Sequence, residues 1–261
     1  MFNRNSIGYW TDKDKRMEAA HLLDLCNSVV ESKERMVTPF LSLGISSWLK
    51  DVLQGSSVNF LAWGGFENSE RVRFVLTTEP ENLYCEQAQI VLLQAISSEK
   101  TKKLGHRSIL GSLMSLGLER EVIGDIRQSE EGFIIAVTDQ IKQYILQNWH
   151  SAGSEKINVE ICKEAVNILP VSGVEKRIIS ASFRLDALVA ASFGLSRGLV
   201  QEKIRQVTIL LNGLTALKPD AEVKVGDILS CRGEGKIKIL DQDGQTRKGK
   251  NAWRIFVYTD N

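Results

Sequence analysis

Apolar residues recur at helical spacing soon after the N-terminus. Met17, Leu22, Leu25, Cys26, Val29 and Val30 share one side of a helix that Thr11 or Asp12 would cap. Pro39 falls in a break. Ile45, Trp48, Leu49, Val52 and Leu53 then predict a second amphipathic helix. After it the period shortens to two, so Val58 to Trp63 and Val72 to Thr77 are expected as strands around a turn holding Gly64-Gly65. Residues 1–80 are therefore expected to form a small α+β domain.

Residues 81–175 alternate more regularly. A strand over Gln89 to Ser97 leads to a helix over His106 to Leu116. Val122 to Gln128 and Gly132 to Val137 form a hairpin across Ser129-Glu130-Glu131. Thr138 caps a helix running to about Trp149, and Lys156 to Cys162 is a final strand. The order β-α-β-β-α-β is the ferredoxin-like (RRM-like) arrangement, common to many RNA-binding modules and also to enzymes and metal carriers. Lys163 to Ser182, interrupted by Pro170, is a strand or a connector. From 182 to 261 two short helices precede strands near 208–211, 214–217, 228–231, 236–240 and 253–258.

The helix pair runs from Ser182 to Arg205. In its second member Arg197, Gln201 and Arg205 stand at i, i+4 and i+8, a stripe of donors along one side. Val200, Ile204 and Val207 form the adjoining apolar stripe, facing Leu185, Leu188, Val189 and Phe193. Ser196 is a natural N-cap, and the N–H groups it leaves free can face a phosphate. Taken alone, the stripe suits either a solvated helix face or a surface for a polyanion.

Charge places that surface near the C-terminus. The net charge of +1 hides 15 Lys+Arg against 9 Asp+Glu from Lys176 onward, and 18 against 23 before it. Hydrophobic residues at 43% and charged residues at 25% are ordinary for a water-soluble chain, and no apolar run approaches the roughly 18 residues of a membrane helix. A cytoplasmic location is expected, with no membrane partner. The four cysteines are scattered and only three histidines are present, so neither a metal site nor a cofactor is expected.

Two further basic clusters stand out. Lys100, Lys102, Lys103, His106 and Arg107 sit where a strand gives way to a helix, either as a solvated loop or as a grip on a phosphate backbone. Arg232-Gly-Glu-Gly-Lys236 is a hairpin turn or a close approach of backbone to a partner, with Arg247, Lys248, Lys250 and Arg254 read as a solvated edge. Phe133 is either core or a platform for a base, and Trp10, Trp48 and Trp63 are expected in cores. The chain has no Walker loop, no Gly-x-Gly-x-x-Gly turn and no nucleophile elbow, so a binding role is expected rather than catalysis.

Arg184-Leu185-Asp186, Ser196-Arg197, Ile204, Asn212-Gly213, Gly226-Asp227 and Arg232-Gly233 resemble the S4 (alpha-L) RNA-binding domain over about 182–240. Val207 departs from it, because relatives often have Gly in the turn after the second helix. Leu104 to Arg120, Ile123-Gly-Asp-Ile126, Gly64-Gly65-Phe66 before Glu70-Arg71, Gly235-Lys236 and Trp253-Arg254 resemble the YlmH family across nearly the whole chain. That resemblance implies an N-terminal domain (1–80), a ferredoxin-like RNA-binding domain (81–175) and an S4 domain (182–261). It implies binding to rRNA or tRNA on the large ribosomal subunit and a part in rescuing stalled translation. The RNA-binding residues it suggests are Arg184, Ser196, Arg197, Gln201, Lys203, Arg205, Arg232 and Lys236, with Lys102, Lys103, His106 and Arg107 as a second grip. The alternatives are an RNA-modifying enzyme recruited by its S4 domain, or an adaptor in photosystem II assembly, a label carried by cyanobacterial and plastid relatives. Arg184-Leu185-Asp186 also resembles the sequence around the catalytic aspartate of pseudouridine synthases, but the 79 residues beyond Ser182 are too few for their catalytic domain.

Overall fold

Helix α1 (Lys13–Ser32) buries Ala19, Leu22, Leu23, Cys26 and Val29. Met17 does not join them and is 62% exposed, because five residues turn it about 140° from Leu22. Helix α2 (Leu43–Leu53) buries Ile45, Leu49 and Leu53. A three-stranded sheet lies in the order β1-β3-β2, from β1 (Met36–Val37), β2 (Asn59–Trp63) and β3 (Arg73–Thr77). Strand β1 has two residues, too few to show a period in the sequence. The computed structural model describes residues 2–3, 7, 13–79, 82–98, 105–162, 167–246 and 249–259, so the Thr11 or Asp12 cap and Trp10 lie outside the described residues.

The expected β-α-β-β-α-β order is present over β4 (Ile90–Ser97), α3 (His106–Ser115), β5 (Ile123–Gln128), β6 (Gly132–Thr138), α4 (Lys142–Asn148), the short β7 (Ser151–Ala152) and β8 (Glu155–Ile161). The strands lie in the order β5-β6-β4-β8-β7, each antiparallel to its neighbours. Alternation sends Leu93, Ala95, Phe133, Ile135 and Val137 toward α3 and α4, where Ile109, Leu113, Ile145 and Trp149 complete a core. Phe133 is thus core and 6% exposed.

The first two segments form one compact unit, 1–170. The far face of the second sheet carries Ile134 and Ala136, which pack with Phe40 and Phe66 from the first segment beside Ile90 and Leu92. Gly124 admits the Phe40 ring, since a Cβ there would lie 2.6 Å from it. Gly65 (φ +92°) packs against Leu92, Ala136 and Ile90 where a side chain would stand. Polar groups complete the joint. Asp125 accepts from the backbone N–H of Glu70 (2.8 Å) and of Arg71 (3.1 Å). The Arg71 guanidinium donates to the carbonyls of Ile123 (3.0 Å), Phe40 (2.8 Å) and Arg120 (2.9 Å). Arg73, buried with no carboxylate partner among the described residues, donates to the carbonyls of Thr38, Ala88 and Gln89.

The second compact unit, 171–261, has one six-stranded sheet in the order β11-β10-β12-β13-β14-β9. Its strands are β9 (Gly173–Ser180), β10 (Ile209–Leu211), β11 (Leu214–Thr215), β12 (Ile228–Cys231), β13 (Gly235–Gln245) and β14 (Asn251–Tyr258). Strand β9 pairs with β14 along its whole length, so this sheet takes in residues before Ser182. Helices α5 (Leu185–Phe193) and α6 (Arg197–Arg205) cover one face, with Leu188, Val189, Val200 and Ile204 on Leu229, Ile237 and Trp253. Asn212 (φ 54°) and Gly213 (φ 77°) join β10 to β11 as a two-residue loop with both φ positive, which suits a tight hairpin.

Candidate nucleic-acid interface

Helix α6 has the start that its sequence predicts: the Ser196 hydroxyl accepts from the Leu199 N–H at 3.2 Å. Its end resolves the question posed by Val207. That residue takes φ 59°, the left-handed conformation a glycine would adopt freely. The Thr208 N–H then reaches the Lys203 carbonyl at 3.0 Å and closes the helix. In consequence Val207 leaves the apolar stripe and is 55% exposed, while Val200 and Ile204 stay buried.

Between these ends, Arg197, Gln201 and Arg205 are all exposed, and no carboxylate forms an ion pair with either arginine among the described residues. Gly198 adds no bulk, with nothing within 4 Å of where its Cβ would stand. Arg232, at the tip of the β12–β13 turn, is likewise exposed and outside any ion pair. Arg197, Arg205 and Arg232 are thus exposed cations open to a polyanion.

Three other predicted contacts are engaged internally. Lys203 is largely covered and its ammonium lies 3.1 Å from a Glu234 carboxylate oxygen, a strut from α6 to the β12–β13 turn. Lys236 is half-buried, with its ammonium 4.8 Å over the ring centre of Tyr258. Arg184, the residue preceding α5, donates through Nε (3.1 Å) and Nη2 (3.2 Å) to the two oxygens of Asp186. The Asp186 side chain is buried. Burial works against its charge, but the Arg184 hydrogen bonds and the charges of Arg184 and Arg197 outweigh it and hold the carboxyl below its usual range. The first N–H groups of α5 are spent as well: Leu185 donates to the Ala221 carbonyl and Asp186 to that of Pro219.

Other basic residues divide between paired and exposed ones, with Lys218 and Lys224 among the exposed. Arg177 pairs with Asp243 and Arg254 with Asp241, so that edge carries balanced charge. Asn212 and Asp227 bond one another at 2.8 Å and the Asn212 side chain also accepts from Ile228, which locks two hairpins together. In the first unit His106 and Arg107 are exposed on the opening turn of α3; Lys100, Lys102 and Lys103 lie outside the described residues, as do Arg247 and Lys248.

Modules with the strand order of the first unit's larger sheet can stack RNA bases on the sheet face away from the helices. Here that face is closed by Phe40 and Phe66. Sequence reasoning missed this cover, and it missed Asp186 as a partner of Arg184. The Gly124 and Gly65 positions were the available signal for the first; the two-residue spacing from Arg184 to Asp186 was the signal for the second.

Residues 14–80 match a family model described as "YlmH, N-terminal", and residues 85–165 match one described as "Putative RNA-binding domain in YlmH". The chain is 30% identical over 247 residues, 93% of its own length and 94% of the other's, to Ribosome-associated protein quality control protein P2 of Bacillus subtilis (strain 168). Among solved structures it resembles the cell division protein ylmH from Streptococcus pneumoniae, with a TM-score of 0.50 and 24% identity, covering 59% of this chain and 93% of that one. At that identity the likeness is one of fold.

Proposed function

Because the chain belongs to the YlmH family, we propose that it is a non-catalytic, cytoplasmic RNA-binding protein that works on the ribosome in quality control of stalled translation. Residues 85–165 act as a ferredoxin-like RNA-binding module and the second unit as an S4-type module that docks on rRNA or tRNA of the large subunit. The observation that carries this reading is the row of Arg197, Gln201 and Arg205 on the exposed side of α6, continued by Arg232. Long exposed cations outside any ion pair are suited to phosphates, and each contact releases counterions, so affinity falls steeply with salt. Exposed His106 and Arg107 supply a second, weaker grip, and two linked contacts gain through effective concentration.

The test is co-sedimentation with ribosomes. Replacing Arg197 and Arg205 together by Ala removes two phosphate contacts and should weaken association about tenfold or more at 100 mM salt, with thermal melting unchanged. Ribosome binding equal to the parent chain would remove α6 from the role assigned to it.

A further inference from the structure

The pairing of Arg184 with Asp186 looks at first like a loss for RNA binding, since it cancels a cation on the surface proposed to meet phosphates. The geometry argues the reverse. A guanidinium has five N–H donors, and the Asp186 carboxylate takes two of them, one on Nε and one on Nη2. Three remain, and the Arg184 side chain is 46% exposed while that of Asp186 is 2% exposed. The carboxylate therefore grips the inner edge of the guanidinium and leaves other N–H groups toward solvent. An arginine held by two parallel hydrogen bonds loses little freedom when it meets a second anion, whereas a loose one must be ordered first.

Asp186 itself cannot move easily, because its backbone N–H is bonded to the Pro219 carbonyl and its neighbours Leu185, Leu188 and Val189 are buried in the core. The charge of Arg197, at the start of the next helix, also acts on this carboxylate.

We propose that Asp186 is a positioning residue for RNA binding: it holds Arg184 in a fixed orientation, so that the N–H groups on the exposed edge of the guanidinium receive the phosphate backbone. This inference rests on the RNA-binding reading above and adds to it the organisation of the site. It makes a prediction of unusual sign. Asp186→Asn keeps shape and removes a negative charge, so simple electrostatics requires tighter RNA binding. Loss of the positioned Arg184 requires weaker binding.

The experiment titrates the fluorescently labelled full chain with ribosomes over a series of salt concentrations. Asp186→Asn is expected to bind about tenfold more weakly than the parent, with the slope of log affinity against log salt shallower by about 0.7–0.9 for one lost phosphate contact. Arg184→Lys keeps the charge at an exposed position and cannot bridge both carboxylate oxygens; it is expected to lose as much as Arg184→Ala. The double change Arg184→Ala with Asp186→Asn should be no weaker than Arg184→Ala alone. Should Asp186→Asn fail to fold, Arg184→Lys decides the matter. Unchanged or tighter binding by Asp186→Asn, or parental binding by Arg184→Lys, would overturn the proposal while leaving RNA binding intact. Absence of binding by the parent chain would remove both readings.

Discussion

Arg71→Ala should destabilise the first unit as a whole, so that both its segments melt together at a lower temperature. The Arg71 side chain reaches three carbonyls on two separate segments, Phe40 on one and Arg120 and Ile123 on the other, while its backbone N–H meets Asp125. Burial, with the neighbouring charge of Arg120, brings its pKa down to about 10 against the opposing pull of Asp125, Glu18 and Glu121, so it remains charged at neutral pH. Removing it takes the Arg71 donors from the Phe40 and Arg120 carbonyls and leaves Ile123 only a longer bond from Arg120 at 3.3 Å, while Asp125 keeps its pair with Arg127 at 3.1 Å. Hydrogen bonds to charged groups contribute about 1.5–3 kcal/mol each but are not additive, and breaking a buried charged cluster costs about 3–5 kcal/mol. For a unit of this size each kcal/mol lowers the melting temperature by about 2–4 °C, so the expected fall is roughly 10 °C. Arg71→Lys should recover little, because three donors on one nitrogen cannot span three directions. The assay is thermal unfolding followed by far-ultraviolet circular dichroism and by tryptophan fluorescence, since Trp48 and Trp63 report on the first segment and Trp149 on the second. A loss below 1 kcal/mol for both variants, or early melting of the first segment alone, would refute the joint.

Other predictions concern single positions. Gly124→Ala places a Cβ 2.6 Å from the Phe40 ring and 3.0 Å from the Ala136 methyl, and should cost about 1–3 kcal/mol in chemical denaturation. Val207→Gly should stabilise the second unit by up to about 1 kcal/mol: relief of the left-handed strain, about 1–2 kcal/mol, exceeds the added chain entropy of glycine, about 0.5–1 kcal/mol. A lowered melting temperature would count against that account. Because the Asp186 carboxyl titrates below its usual range in the folded chain, its stabilisation is complete above about pH 4 and disappears as the pH falls through the lower folded value. The parent chain should therefore lose more stability than Asp186→Asn between pH 5 and pH 2, measured by urea unfolding.

Much of the architecture was legible in the chain. Alternation and helical period placed α3 and the four main strands of the middle segment within a residue or two, because local geometry sets which residues share a face, whereas Thr138 makes no side-chain cap and α4 begins only at Lys142, after a 3-10 turn over Asp139–Ile141. The Ser196 cap and the stripe of Arg197, Gln201 and Arg205 are also local, since all lie within the ten consecutive positions of one helix and its N-cap. Strand β9 is ambiguous in sequence because it mixes Val174 and Ile178 with Glu175, Lys176 and Arg177, and only its pairing with β14 gives it a sheet.

The sequence alone determined the order of the main helices and strands, the basic α6 face and the family resemblance. The tertiary structure decided which cations remain open. Arg184 and Lys203 look as free as Arg197 in sequence, yet the carboxylates that meet them depend on how a helix start and a distant hairpin come together. It also decided that the first two segments make one unit, with Phe40 and Phe66 over Ile134 and Ala136. Period and charge describe what a residue can do on its own element; burial and pairing are properties of elements in contact, and no single segment carries that information.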